Sequence, residues 1–210
     1  MREKNLKIRS SAKRPAGRPR SEVSRKAILN AAYSFLQSLP VSSISTVRIA
    51  RKAGVSSATV YRWWRTKEEL LLDAFLYKAD HKLVLKREGA ALERLKEYVL
   101  QIGRAFAGRT GFIVVKLLAA IQDNPKLRKE FVKRILTPRD FEVRSVVKEA
   151  IEMRQLPRGM KVGAFLDSIV GPLLARLLFR HERIDEEFVI AVFDAVVAGT
   201  IAQNRAIKGS

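Results

Sequence analysis

Apolar residues recur at helical spacing along most of the chain, and no stretch sustains the two-residue alternation of a half-buried strand. Val23, Ala27, Ile28, Ala31, Phe35 and Leu39 define a first helix, with Ser21 or Ser24 placed to cap it and Pro40 to end it. Ser45 or Thr46 caps a short helix carrying Val47 to Ala53, and another short helix runs from about Ser57 to Trp64. The segment Thr66-Lys67-Glu68-Glu69 reads as a capping box that opens a long helix through Leu70, Phe75, Tyr77 and Leu83 to about Arg87. Beyond Gly89 the period predicts helices at 90–107, 111–122, 125–136, 138–155, 161–180 and 185–205. Gly108–Gly111, Asp123-Asn124-Pro125, Thr137-Pro138, Leu156–Gly159 and His181–Asp185 separate them. The expected fold class is all-α.

The two short helices, Thr46 to Trp64, carry the spacing of a helix-turn-helix. Small Ala50 lets the second helix cross closely, Gly54 accepts the positive φ of a tight turn, and Val60 pins the second helix into the core. Ile49, Val55 and Trp64 add apolar contacts. Left facing outward are Ser56, Ser57, Thr59, Arg62 and Trp63, with Tyr61 nearby, all able to meet phosphates or base edges of DNA.

Charge strengthens that reading. The chain has a net charge of +20, and residues 1–67 hold 16 Lys or Arg against Glu3 and Glu22 alone, while 68–210 hold 25 against 19 acids. No acid occurs between Val23 and Lys67. A merely solubilising surface would mix signs, so the N-terminal third is expected to face a polyanion. Residues 1–20, ending RPAGRPR, read as a flexible basic arm. Arg18 and Arg20 fit a narrow minor groove; a plain solubility tail fits the same composition.

The 210 residues can bury a substantial core, and zero Cys excludes a disulfide framework. No apolar run looks close to the ~20 residues of a membrane span, and the basic N-terminus lacks the apolar stretch of a signal peptide, so a cytoplasmic protein without membrane contact is expected. His81 and His181 are the only histidines and stand among no metal-ligand cluster, so neither metal nor cofactor is expected. An enzyme finds no support, with no nucleophile elbow, Gly-rich phosphate loop, HExxH or paired carboxylates.

The last two helices look like partners for a second copy. Gly163, Ala164, Gly171 and Ala175 allow close approach on one, Pro172 should kink it, and Val189, Phe193, Val196, Val197, Thr200 and Ile201 make an apolar surface on the other. Intramolecular core is the alternative for the same pattern. Symmetry favours a homodimer, because one helix-turn-helix reads few bases and paired readers span two half-sites.

The segments AILNAAYSFL and TVRIARKAGVSSATVYRWWRTKEELLLDAF, within residues 22–76, resemble the tetracycline-repressor (TetR-like) family of bacterial transcription regulators. A weaker resemblance lies in residues 171–199, similar to the paired dimerisation helices of one branch of that family. The resemblance implies an N-terminal three-helix helix-turn-helix DNA-binding domain at 21–67 and a helical effector-binding and dimerisation domain at 68–210. It places Thr46 and Arg48 at the start of the helix that abuts the DNA backbone, and Ser57, Ala58, Thr59 and Arg62 where base-facing residues stand. Tyr61 and Lys67 fall where phosphate contacts are typical, and Trp63 replaces a frequent His. It further implies a repressor that binds a palindromic operator in double-stranded DNA as a dimer and leaves it when a small-molecule effector enters the body. Phe106, Phe112, Leu118, Ile121, Phe141, Met153, Phe165 and Ile169, with Gln122 and Asp167 as polar candidates, are the residues that could line an effector cavity; plain core is the alternative. The rival to a specific regulator is a sequence-indifferent architectural DNA-binding protein.

Overall fold

A computed structural model describes residues 21–79 and 83–208, all helices and connections with no strand among them. The expected arm, with Arg18 and Arg20, and His81 lie outside the described residues. The N-terminal helices are α1 (Glu22–Ser38), α2 (Thr46–Lys52), α3 (Ser57–Tyr61) and α4 (Lys67–Ala79). Then come α5 (Ala91–Ala107), α6 (Arg109–Gln122), α7 (Pro125–Phe131), α8 (Thr137–Glu152), α9 (Val162–Phe179) and α10 (Glu186–Lys208).

Ser21 caps α1, its Oγ accepting the Ser24 amide at 3.4 Å, and Leu39 and Pro40 take extended backbone that stops it. The capping box opens α4 as expected: Thr66 Oγ1 accepts the Glu69 amide at 3.1 Å while a Glu69 carboxylate oxygen accepts the Arg65 amide at 2.9 Å.

Four expectations need correction. α4 spans Lys67–Ala79 and does not reach Arg87: Leu83–Lys86 are outside any helix, and the Gln101 side-chain amide accepts the Val84 N–H at 2.7 Å and donates to the Val84 carbonyl at 3.0 Å. Thr137-Pro138 does not separate two helices. A π turn, Val132–Leu136, joins α7 to α8, and the Thr137 amide bonds back to the Val132 carbonyl, five residues away. The wider turn accommodates a proline ring that would otherwise clash with the carbonyl four residues earlier. Between α5 and α6 the break is Gly108 alone, and the helices meet at 82°. Lastly, α9 is long and apolar enough by length and composition to cross a membrane, with mean hydropathy 1.7 over 18 residues; Asp167 and Arg176 within it hid the run from a linear reading.

Two apolar cores result. The first joins the reader to the front of the body: Ile28, Leu29, Leu36, Ile49, Val60 and Leu70–Leu72 pack with Ile113, Leu117, Leu127 and Phe131 of α6 and α7. The second gathers α5, α8, α9 and α10 around Leu95, Val147, Ile169, Leu173, Val189 and Phe193. Close approach of α10 to α5 depends on Gly103, where a Cβ would stand 2.6 Å from Val189 Cγ2.

Candidate nucleic-acid interface

The reader is built from short helices with explicit caps. Ser45 Oγ accepts the Arg48 amide at 3.2 Å to start α2, and Ser56 Oγ accepts the Thr59 amide at 3.2 Å to start α3. Between them Gly54 adopts φ +67°, the left-handed turn that an L side chain resists. The Val55 amide then closes on the Ala50 carbonyl at 3.0 Å. Ile49, Ala50, Val60 and Trp64 are all buried, as the spacing implied.

With those residues inside, Ser56, Ala58, Tyr61 and Arg62 are exposed, and Ser57, Thr59, Trp63 and Lys67 are half-buried. Thr59 already holds Ser56 through their hydroxyls at 3.0 Å. Arg48 is exposed on α2. Thr46 starts α2 as expected, and its side chain is turned inward at 9% exposure, its hydroxyl 2.9 Å from the Tyr61 hydroxyl. That contact fixes where the half-exposed Tyr61 ring stands. Lys67 donates to the Val41 carbonyl at 3.3 Å, which ties the start of α4 to the α1–α2 connection. Trp63 packs on Trp64 with ring centroids 6.1 Å apart, under the Arg25 guanidinium at 5.6 Å.

Arg25 is one cation the sequence pattern did not single out. Lys52 is another: it and Arg48, one turn apart on α2, both lie over the Phe35 ring, at 4.9 and 5.2 Å. The signal was present in their spacing of four residues opposite an aromatic on α1, but only the crossing of α1 and α2 brings the ring beneath them. Glu22 is the single acid of residues 21–67, and its carboxylate is 3.7 Å from Arg25 at the exposed start of α1. The face therefore presents Arg48 and Lys52 oriented by one ring and Arg25 shared between a ring and Glu22, together with short hydroxyl and guanidinium side chains on a narrow helix. This is the chemistry of a surface that grips phosphates and reads base edges.

The ten effector candidates do not converge on one cavity. Ile121 lies in the first core, Phe165 and Ile169 lie in the second, and half-buried Phe106 and Leu118 pack against the cores. Phe141 is 77% exposed and Met153 68%, and exposed Gln122 donates back to the Leu118 carbonyl at 3.1 Å, so these three stand on the surface. Phe112 lines a cleft of about 340 Å³ with Gln37, Arg109 and Ile113, beside the contact of α1 with α6. Asp167 is exposed too.

The dimer candidates divide by face. Val189 and Phe193 are corrected to intramolecular core, since the approach of α10 to α5 at Gly103 encloses them at 2% and 3% exposure. Val196, Val197 and Thr200 are half-buried, the two valines against the same core. Gly171 is exposed and Ala175 half-buried. They continue a stripe, Ala164, Ser168, Gly171 and Ala175, whose spacing recurs on α10 as exposed Ala191, Ala195, Ala198 and Ala202. The second stripe was missed because alanines carry little weight in an apolar pattern.

Comparison with known proteins places this geometry. Residues 28–74 match the family of bacterial regulatory proteins of the tetR family, and residues 86–196 match the tetracyclin repressor-like C-terminal domain. The HTH-type transcriptional regulator YdeS of Bacillus subtilis (strain 168) is 30% identical over 173 residues, 82% of this chain and 87% of YdeS. The crystal structure of the TetR family transcription regulator SCO0332 superposes with a TM-score of 0.69 at 25% identity, over 85% of this chain and 98% of that one. The transcriptional regulator FadR from Bacillus subtilis, solved in complex with stearoyl-CoA, gives a TM-score of 0.69 over 83% and 98% of the two chains, and at 20% identity it speaks for the fold alone. With a helix-turn-helix at its N-terminus, a helical C-terminal domain behind it and regulators rather than enzymes as its relatives, this chain belongs to the TetR family of DNA-binding transcription regulators.

Proposed function

We propose that the protein is a repressor that binds a palindromic operator as a homodimer in the cytoplasm and is released by a small amphipathic effector. The observation that carries it is the outward face of α3 and α2, where Ser56, Ala58, Tyr61, Arg62 and Arg48 are exposed over a locked apolar base. In this reading Ser56, Ser57, Ala58, Thr59 and Arg62 face base edges. Tyr61, Lys67, Trp63 and Arg48 hold the backbone, and Thr46 positions Tyr61. Residues 21–67 are the reader and 68–210 the effector-binding and dimerisation part.

Dimerisation is assigned to the paired small-residue stripes of α9 and α10. α9 has the hydropathy of a buried helix, yet only 22% of it is buried within the monomer, so a second copy would cover what the monomer leaves open. Two-fold pairing then supplies two readers for two half-sites. For the effector, FadR is the guide: that regulator holds stearoyl-CoA, an apolar chain with an anionic head. A long-chain acyl thioester is the first candidate here.

The test is a pair of titrations. Wild-type protein should bind a selected duplex in the presence of excess random competitor DNA, and stearoyl-CoA should both raise the melting temperature and weaken that complex, with CoA alone doing neither. Uniform, salt-sensitive binding to all duplexes would instead identify an architectural DNA-binding protein. Stabilisation by the acyl thioester without loss of DNA affinity would reject the switch.

A further inference from the structure

One carboxylate touches both the reader and the body. Asp73, midway along α4, divides its two oxygens: Oδ2 accepts the indole N–H of Trp64 at 2.6 Å, and Oδ1 accepts from Nη2 of Arg134 in the π turn. The same guanidinium donates through Nη1 to the Glu69 carbonyl in the first turn of α4, at 3.4 Å. The Asp73 and Arg134 side chains are 22% and 27% exposed, so the pair is largely withdrawn from water while its charges are matched.

Each end of this chain of contacts has consequences. α3 has five residues, too few for its own hydrogen bonds to hold it, and its seating depends on Val60 and Trp64 beneath it, at 1% and 3% exposure. Where the Trp64 indole sits therefore sets which way Ala58, Thr59 and Arg62 face. At the other end, Arg134 is presented by a π turn rather than by regular helix, while its neighbour Ile135 stays in the core at 5% exposure. A π turn interrupts the helical ladder, and converting it to α-helix would rotate the residues after it relative to those before. It leads directly into α8, which packs on α5 in the second core.

We infer that Arg134 and Asp73 are positioning residues for DNA reading: through the shared carboxylate, the π turn of the body sets the seating of the recognition helix at Trp64. The inference rests on the DNA-reading role proposed for α3 and adds how the body holds that helix. Neither residue is itself on the reading face, so their effect must appear in discrimination between sequences rather than in general attraction to phosphates.

The experiment uses the full chain and a duplex that the wild-type protein has enriched from a random-sequence library, with a scrambled duplex of equal length as control. Arg134→Met should weaken binding to the enriched duplex roughly tenfold and to the scrambled duplex less than about threefold, the scale on which residues that contact no ligand modulate coupling. In a Trp64→Phe background, which keeps an aromatic ring but deletes the N–H, the same substitution should cost less than about twofold, because the link is already cut. Arg134→Gln, which removes the charge and keeps a donor, takes the place of Arg134→Met if the latter loses cooperative melting. Equal losses on both duplexes, or an undiminished loss in the Trp64→Phe background, would overturn the inference. A wild-type protein that enriches no sequence at all would overturn the DNA-reading assignment itself, a separate failure.

Discussion

Cations in the reader and cations in the body differ in the acids that stand beside them: residues 21–67 hold Glu22 alone, whereas residues 68–210 hold 19 acids. In the reader, Arg25 rests on Trp63 with Glu22 3.7 Å away, while Arg48 and Lys52 share Phe35, a ring that holds these two side chains without cancelling their charge. In the body, Arg94 meets Glu149 at 2.7 Å, Lys96 meets Asp194 at 2.8 Å and Arg104 meets Glu186 at 2.7 Å; Lys96 and Arg176 also lie over the Phe193 and Phe188 rings, yet each of them has a carboxylate partner as well. Both arrangements order long flexible side chains. A ring leaves the charge of Arg48 and Lys52 available to a polyanion, and the scarcity of acids around them distinguishes the N-terminal third from the rest of an equally helical protein.

A second contrast, between inward and outward residues of α10, gives the largest expected effect. Phe193→Glu puts a carboxylate in the core and should cost at least ~3 kcal/mol, seen as lost cooperative melting by circular dichroism. Two residues along, exposed Ala195→Glu should leave a helical, cooperatively melting protein that sediments as a monomer at micromolar concentration. A dimeric Ala195→Glu protein would show that the alanine stripe is not the interface.

Within the reader, base contacts and phosphate contacts should separate. Thr59→Ala and Arg62→Ala are expected to reduce discrimination between enriched and scrambled duplexes by about 1–3 kcal/mol in competition gel shifts. Lys67→Ala should weaken both duplexes alike and flatten the salt dependence by about one unit of slope. Arg94→Ala in the body serves as its opposite: it breaks the bond to Glu149 and should lower the melting temperature while the salt slope stays as it was.

Phe35→Leu is the smallest and most specific. It keeps apolar volume against α2 but removes the ring under Arg48 and Lys52, at a cost of about 0.5–1 kcal/mol in affinity for any duplex. Unchanged affinity would mean that the ring orients nothing of use to DNA.

The reader was legible in the sequence because its structural demands are local. A cap serine three residues from its amide, a glycine in a left-handed turn and apolar residues at fixed offsets leave a one-dimensional trace at Ser56, Gly54, Ala50 and Val60. The rest depends on which helices cross. Phe193 and Ala195 flank Asp194 in one helix, and only the packing of α10 on α5 at Gly103 decides that one is core and the other surface. Phe141 and Met153 looked like cavity residues by type alone, yet they fall on outward faces of α8 and the turn after it. Pro138 was read as a break because the rule for proline assumes a regular ladder, and a π turn removes the clash on which the rule depends.

Both tryptophans of the chain, Trp63 and Trp64, lie at the end of the recognition segment, with none in the body. The ultraviolet emission of the protein is therefore dominated by its DNA-reading end, whereas its circular dichroism is dominated by the longer helices behind. Because Leu117, Leu127 and Phe131 share one core with Ile49, Val60 and Trp64, the two signals should report a single melting event for the reader and the front of the body.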